Sequence, residues 1–287
     1  MTGPTADGGT PADRVARVAG LLERRVAAYD RDRDHRAVFA YLYLCLTRDL
    51  ERGLRSGRPA FDDPGWIALL SGRLAMTYLR TQDAIDTWLA TATDRPAHPR
   101  PGDLPDTVPP PWRDVYAASS AERSYVLEEI VFSMAAHLSY DLPLTLLALA
   151  GPGPADPHAH IADFDRMNAL LGSSVESVQD HVAARYCRGL LTLEHLCTRD
   201  ERLLTARGIE AFRADAWFNF DRLSDPVAAA TARRAIPRIT ADIIREFRAP
   251  ADPNLRLATH LLRLLVPARR QWPPPDGQPG TVHRPTR

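Results

Sequence analysis

His137 and Asp141 lie four residues apart on a segment whose apolar positions, Leu127, Ile130, Met134 and Leu144, recur every three or four residues. That is the period of a helix, so the two side chains stand one turn apart on the stripe that faces the core. A carboxylate one turn from an imidazole fixes the ring's orientation and raises its basicity, which suits a general acid/base; the same pair can also share a metal ion. The competing reading is a buried hydrogen-bonded pair that only fixes helix register.

Downstream, Ile161, Phe164, Asn168, Leu171 and Val175 form a second apolar stripe, interrupted by Asn168 and flanked by His160 and Asp163. Two neighbouring helices therefore aim polar groups inward. On a third run Val178, His181, Val182 and Arg185 share a side. Arg185 could neutralise Asp141 or Asp163, or grip an anionic substrate group with its planar fork, against the plainer reading of a solvated arginine. The aromatic residues Tyr41, Tyr43, Tyr78, Trp88, Trp112, Tyr125 and Trp217 are core material at helical spacing, any of which could line a pocket. The set assembled this way has His137, Asp141 and Asp163 as catalytic groups, His137 being the acid/base and Asp141 its orienting partner. Asn168, Arg185 and Tyr78 are its substrate-binding groups.

His137, Asp141, His158, His160, Asp163 and His181 offer nitrogen and oxygen ligands for a divalent metal, but no HExxH or Glu-x-x-His spacing joins them, so a metal stays open. Other templates are absent. Every basic residue among the 36 Lys+Arg is an arginine, which removes a pyridoxal Schiff base and a P-loop lysine, since both need the ε-amine. There is no GxSxG elbow, and no GxGxxG turn after a strand. Asn168 and Glu176 have the separation of the second metal motif of class I terpene cyclases, but Gly172 occupies its serine position and Asp62-Asp63-Pro64 lacks the later aspartate of the partner motif.

The elements that must carry these residues are all helical by period. Helices are expected over about 12–29, 36–54, 64–93, 121–149, 156–171 (restarted by Asp156-Pro157), 173–188, 200–222, 226–247 and 253–266. Asp63 is the expected cap of the third, with Pro64 in its first turn. Ser119 or Ser120 is the expected cap of the fourth, and Gly172 should break the pair around it. Pro96, Pro99, Pro101, Pro105, Pro109, Pro110 and Pro111 make 95–111 a polyproline-like surface connection. Residues 1–11 and the proline- and glycine-rich 271–287 read as disordered tails. The expectation is an all-α fold, a single globular multi-helix domain over 12–270 with a central buried helix pair.

The 36 acidic residues balance the 36 basic ones for a formal net charge of zero, so no overall field recruits nucleic acid. Cys45, Cys187 and Cys197 are an odd set without a CxxC, which fits a reducing compartment rather than a disulfide framework or a zinc knuckle. The first residues lack a signal peptide's basic and apolar regions, and the apolar run at Leu142 to Ala150 is short for a membrane span. A cytoplasmic protein with no membrane association is expected. The oligomeric state is not readable.

The run from Met134 to Pro143, with His137, Asp141 and Leu142, is followed by Asp163-Phe164-Asp165-Arg166-Met167-Asn168. Together they resemble a widespread all-helical family of unknown function that carries a His-x-x-x-Asp-Leu run and an Asp-Phe-x-x-x-Asn helix. Tyr41 to Thr47 and Ala75 to Leu79 are similar to it too, and the likeness spans about residues 30–265. The resemblance implies a single all-α domain and no activity. This chain departs from the family pattern at Ala135, where asparagine is usual, and at Ser71, where aspartate is usual.

The functional expectation is a small-molecule enzyme working by acid/base chemistry, metal-assisted or not, in a pocket between helices. A cyclase, lyase, isomerase or hydrolase of secondary metabolism fits. The alternative is a non-catalytic helical module that binds an apolar ligand or a partner protein.

Overall fold

The computed structural model describes residues 9–121, 125–151, 158–187, 206–265 and 271–273. Helix α1, Pro11–Asp32, opens on a reciprocal cap: Asp13 donates its amide to Thr10 Oγ1, and Thr10 donates its own to Asp13 Oδ2, which satisfies two otherwise orphaned donors. It closes on Arg33 in the left-handed region, with φ of 53°. α2, Ala37–Ser56, and α3, Pro64–Thr91, follow. As the sequence predicts, Asp63 caps α3 by accepting the Trp66 amide at 2.9 Å, and Pro64 fills the first turn. α1 packs along both α2 and α3.

The proline-rich stretch differs from its expected form. It holds a short 3-10 turn at Pro101–Asp103 and then starts a helix, α4, Pro110–Ser119. A proline at the first helical position loses nothing, because its amide would have no partner there. Ser119 and Ser120 therefore end α4 rather than capping the next helix. Residues 122–124 lie outside the described residues, and α5 runs Val126–Ala136.

α5 is followed by a wide π turn, His137–Asp141, and by α6, Leu142–Ala150. Pro143 explains the interruption. It has no amide to give the Ser139 carbonyl and its ring crowds that carbonyl, so the chain widens and Leu142 donates instead to His137 O. Nearly every residue of α5 is buried. The continuous rod Val126–Ala150 is long and apolar enough to cross a membrane by composition, yet 83 % of its most apolar 18-residue window is buried within the fold.

The expected break at Gly172 does not occur. α7 runs unbroken over Ile161–Tyr186; a Cβ at Gly172 would lie 3.1 Å from the Ala206 Cβ, so this glycine serves close approach of the next helix. The predicted restart at Asp156-Pro157 lies outside the described residues. α8, Ala206–Ser224, α9, Ala229–Arg248, and α10, Pro253–Leu265, complete the helices described. Of the expected C-terminal tail, Gln271 and Trp272 are in place against α7: the Gln271 amide donates to Tyr186 O at 2.9 Å and the Trp272 ring sits 5.9 Å from that of Tyr186.

The fold is all-α, and its main core is continuous across α1 to α9. α2 lies at its centre, touching α1, α5 and α7. Leu22, Leu142 and Phe39, at most 3 % exposed, each contribute about 1.5–3 kcal/mol by leaving water.

α2 and α7 approach most tightly at Gly53, where an added Cβ would meet Leu170 Cδ1 at 2.6 Å and the Arg58 carbonyl at 3.0 Å. Gly53→Ala gains helix propensity of about 1 kcal/mol but overpacks a site that costs about 1–3 kcal/mol. Its melting temperature, measured by calorimetry, should fall by about 2–4 °C; a rise would show that the two helices part freely.

Candidate functional site

The π turn puts His137 and Asp141 side by side in the interior, 4 % and 0 % exposed. His137 Nδ1 lies 3.2 Å from Asp141 Oδ2, and Trp112 Nε1 donates to that same oxygen at 3.0 Å. The Asp141 carbonyl is satisfied by the Thr145 hydroxyl at 2.8 Å. Burial pushes the Asp141 pKa up, against the opposing pull of His137 and Trp112. With the carboxylate ionised, the imidazole proton sits on Nδ1 and Nε2 is left with its lone pair. That Nε2 is buried and has no hydrogen-bond partner among the described residues; neither have Asp141 Oδ1 and the Tyr43 hydroxyl.

Aromatic rings hold the imidazole on several sides. Tyr43 and Phe39, one turn apart on α2, stand 4.6 and 5.7 Å from it, and Tyr78 of α3 stands 6.0 Å away, all edge-to-face. Tyr78 is itself packed against Trp112 at 5.5 Å. Burial raises the pKa of both tyrosines, so they remain neutral phenols.

Beside His137 is a cavity of about 80 Å³ between α2, α3, α5, α7 and α8. Its walls are mostly aliphatic, from residues such as Leu46, Leu50, Leu74, Met134 and Met167, and its polar lining comes from Tyr43, Thr47, Ser71, His137 and Arg213. Arg213, on α8, is 4 % exposed. Its Nε donates to Asn168 Oδ1 at 2.5 Å and its Nη2 to the Phe164 carbonyl at 2.7 Å, while the guanidinium carbon lies 3.9 Å from the centre of the Phe164 ring. Burial draws the Arg213 pKa down to about 9, with only distant support from Asp165.

The structure thus gathers His137, Asp141 and Tyr78 and gives Asn168 a role at the cavity's edge, through Arg213. It does not bring in two other expected residues. Asp163 is fastened to the start of α3: its oxygens accept the Asp62 and Asp63 amides at 2.8 and 2.6 Å and Arg166 at 2.8 Å, and it does not line the cavity. Burial alone would raise its pKa, but those amides and Arg166 outweigh it and hold the carboxyl below its ordinary range. Arg185 pairs instead with Asp30 at 2.6 Å and lies 4.7 Å over the Tyr41 ring. His160 stacks on Trp66, His158 lies near Asp221, and His181 is exposed. Among the described residues no three His, Cys, Asp or Glu side chains converge as a metal-binding set.

Residues 15–250 match DUF5995, a family of unknown function. The chain belongs to that family. No curated protein and no solved structure matches the chain. The DUF5995 core therefore has to be read from its own geometry, and there sequence reasoning overlooked Arg213 altogether and left Trp112 and Tyr43 as general pocket candidates. A signal for Arg213 existed: it interrupts the apolar stripe Ile209, Ala216, Phe220 and Leu223 of α8, all buried, just as Asn168 interrupts that of α7.

Two other concavities are less suited to chemistry. A surface cleft of about 1270 Å³ beside α9 is lined by charges that pair with one another, Arg263 with Glu128 and Arg245 with Asp242, each at 2.6 Å. A void of about 20 Å³ on the other side of Phe39 is edged by Arg36, Gln82 and Ser119; it has room for one water. Arg36 there is neutralised by Asp34 and Asp86 at 2.6 and 2.7 Å.

Two consequences can be checked by denaturation. Asp141→Ala would strand the Trp112 indole N–H and a histidine in a dry core and should cost about 3–5 kcal/mol. Asp141→Asn, which keeps an acceptor, should cost far less; equal losses would mean that Asp141 is not held by these bonds. For Asp163 the folded pKa is depressed, so its stabilisation is present above its ordinary value of 3.8 and fades as pH falls through the folded value. Asp163→Ala should therefore be clearly destabilised at pH of about 7 but close to wild type below pH of about 2. A gap that persists in acid would exclude this account.

Proposed function

We propose that this DUF5995 domain is a small-molecule enzyme that works by proton transfer, with His137 as general base and acid, and Asp141 as the group that orients it. The observation that carries the reading is His137 Nε2: it is buried and unpartnered, on a ring whose other nitrogen is held by Asp141 and whose side chain lines a cavity. A buried nitrogen lone pair without a donor costs about 1–3 kcal/mol, a cost that a substrate proton would relieve. Trp112 steadies the carboxylate, and the rings of Phe39, Tyr43 and Tyr78 surround the imidazole and hold its direction. Chemistry that such a pair supports on its own is proton removal from carbon or oxygen, as in isomerisation, elimination or cyclisation. Cytoplasmic action on a soluble metabolite accords with the balanced charge.

A second reading is favoured by the tight ring packing. With three aromatic side chains within 6.0 Å of the imidazole, the pair could serve only to lock α5 against α2 and α4, leaving a module that holds an apolar ligand.

The two readings part in heavy water. Purified protein is incubated in deuterium oxide with a soluble metabolite extract, and deuterium uptake or conversion is followed by mass spectrometry for the wild type and His137→Gln. The enzyme reading expects at least one metabolite to exchange or react with the wild type, and about 100-fold or more slowly with the variant. If no metabolite shows a difference between the two folded proteins, the base assignment fails and the pair is structural.

A further inference from the structure

We propose that Arg213 is the anion anchor of the cavity, and that the molecule taken up there is a small organic acid with its carboxylate on Arg213 and its apolar body toward His137. The proposal rests on the cavity assigned to proton transfer above, and names the class of ligand it takes.

The argument begins with a charge that lacks a counter-charge. Among the described residues the other buried arginine, Arg36, has Asp34 and Asp86, and the half-buried Arg185 has Asp30. Arg213 is as deeply buried as any of these at 4 % exposure, and no carboxylate among the described residues lies within ion-pair distance of it. Its fixed partners are neutral, the Asn168 amide oxygen and the Phe164 carbonyl. They take Nε and Nη2 and so orient the guanidinium without compensating it; Nη1 bonds to no described residue. Leaving a cation uncompensated in the interior is expensive, and the depressed pKa is the mark of that strain on the charged form. A ligand carboxylate would relieve it.

Position then selects the rest of the molecule. Arg213 lines the same cavity as His137. The rest of that lining is mostly Leu, Ile and Met side chains, and no acidic residue lines it to compete for the guanidinium. Asp141 does not line the space. At about 80 Å³ the void is roughly half of one that takes benzene, which limits the preformed room to a short chain; Met134 and Met167 in its wall are the side chains best able to yield. An acid bound head-first on Arg213 would bring its carbon chain toward the unpartnered Nε2.

The test is calorimetric titration of the unmodified protein, near neutral pH, with straight-chain carboxylates from acetate to octanoate and with the matching primary amides. At least one acid should bind, about tenfold or more tightly than its amide, the margin expected for a charge-assisted bond. Arg213→Met should erase that preference, and His137→Gln should keep it. Arg213→Lys, which keeps the charge if the methionine variant does not fold, should retain part of it. The proposal is overturned if no acid binds, if wild type binds acid and amide alike, or if a folded Arg213→Met retains the preference. Failure of the proton-transfer reading would look different: acids would bind through Arg213 while deuterium uptake stayed independent of His137.

Discussion

A carboxylate with no solvent exposure must be met from within the protein, and Asp141 is met by two groups on one oxygen, the imidazole of His137 and the indole of Trp112. Much of the fold is arranged around that requirement. α4 exists where it does to deliver Trp112; α2 lays Phe39 and Tyr43 over the imidazole, and α3 adds Tyr78. Hydrogen bonds in so dry a place are strong because no water competes, and equally costly when left unmade. The interior therefore holds a polar array whose one oxygen is fully engaged and whose remaining atoms, Nε2 of His137 and Oδ1 of Asp141, stand open. An array built only for rigidity would gain by closing those as well.

Much of this was legible in the sequence, for a physical reason. Apolar spacing reports which face of a helix is buried, and it placed His137, Asp141 and Asn168 on inward stripes, where they are found. What it cannot report is a partner far along the chain. Asp163 was expected to face inward and is indeed buried, but its partners are amides about a hundred residues earlier, so a structural anchor resembled a catalytic acid. Arg185 likewise found Asp30, on the first helix.

The misread boundaries share a cause. Proline and glycine read as breaks in a sequence, yet each is compatible with a helix under particular conditions. Pro110 and Pro111 occupy a first turn, where an amide is not needed, and Gly172 sits within α7 where Ala206 comes close. Pro143 was the opposite case: it lay inside a helix expected to be regular, and it is what opens the wide turn at the site.

That wide turn has one more effect. An α-helix advances about 100° per residue, so a single residue of slack rotates everything before Leu142 against everything after it. The two halves of the rod consequently keep different company, α5 with α2, α4 and α9, α6 with α3 and α8. One continuous helix could present a single azimuth to its surroundings; this one presents two, and His137 stands at the phase change. The direction of the imidazole is thereby tied to the angular offset between two packed layers, so a shift of either layer about the rod would re-aim the ring without any change in the residues that touch it.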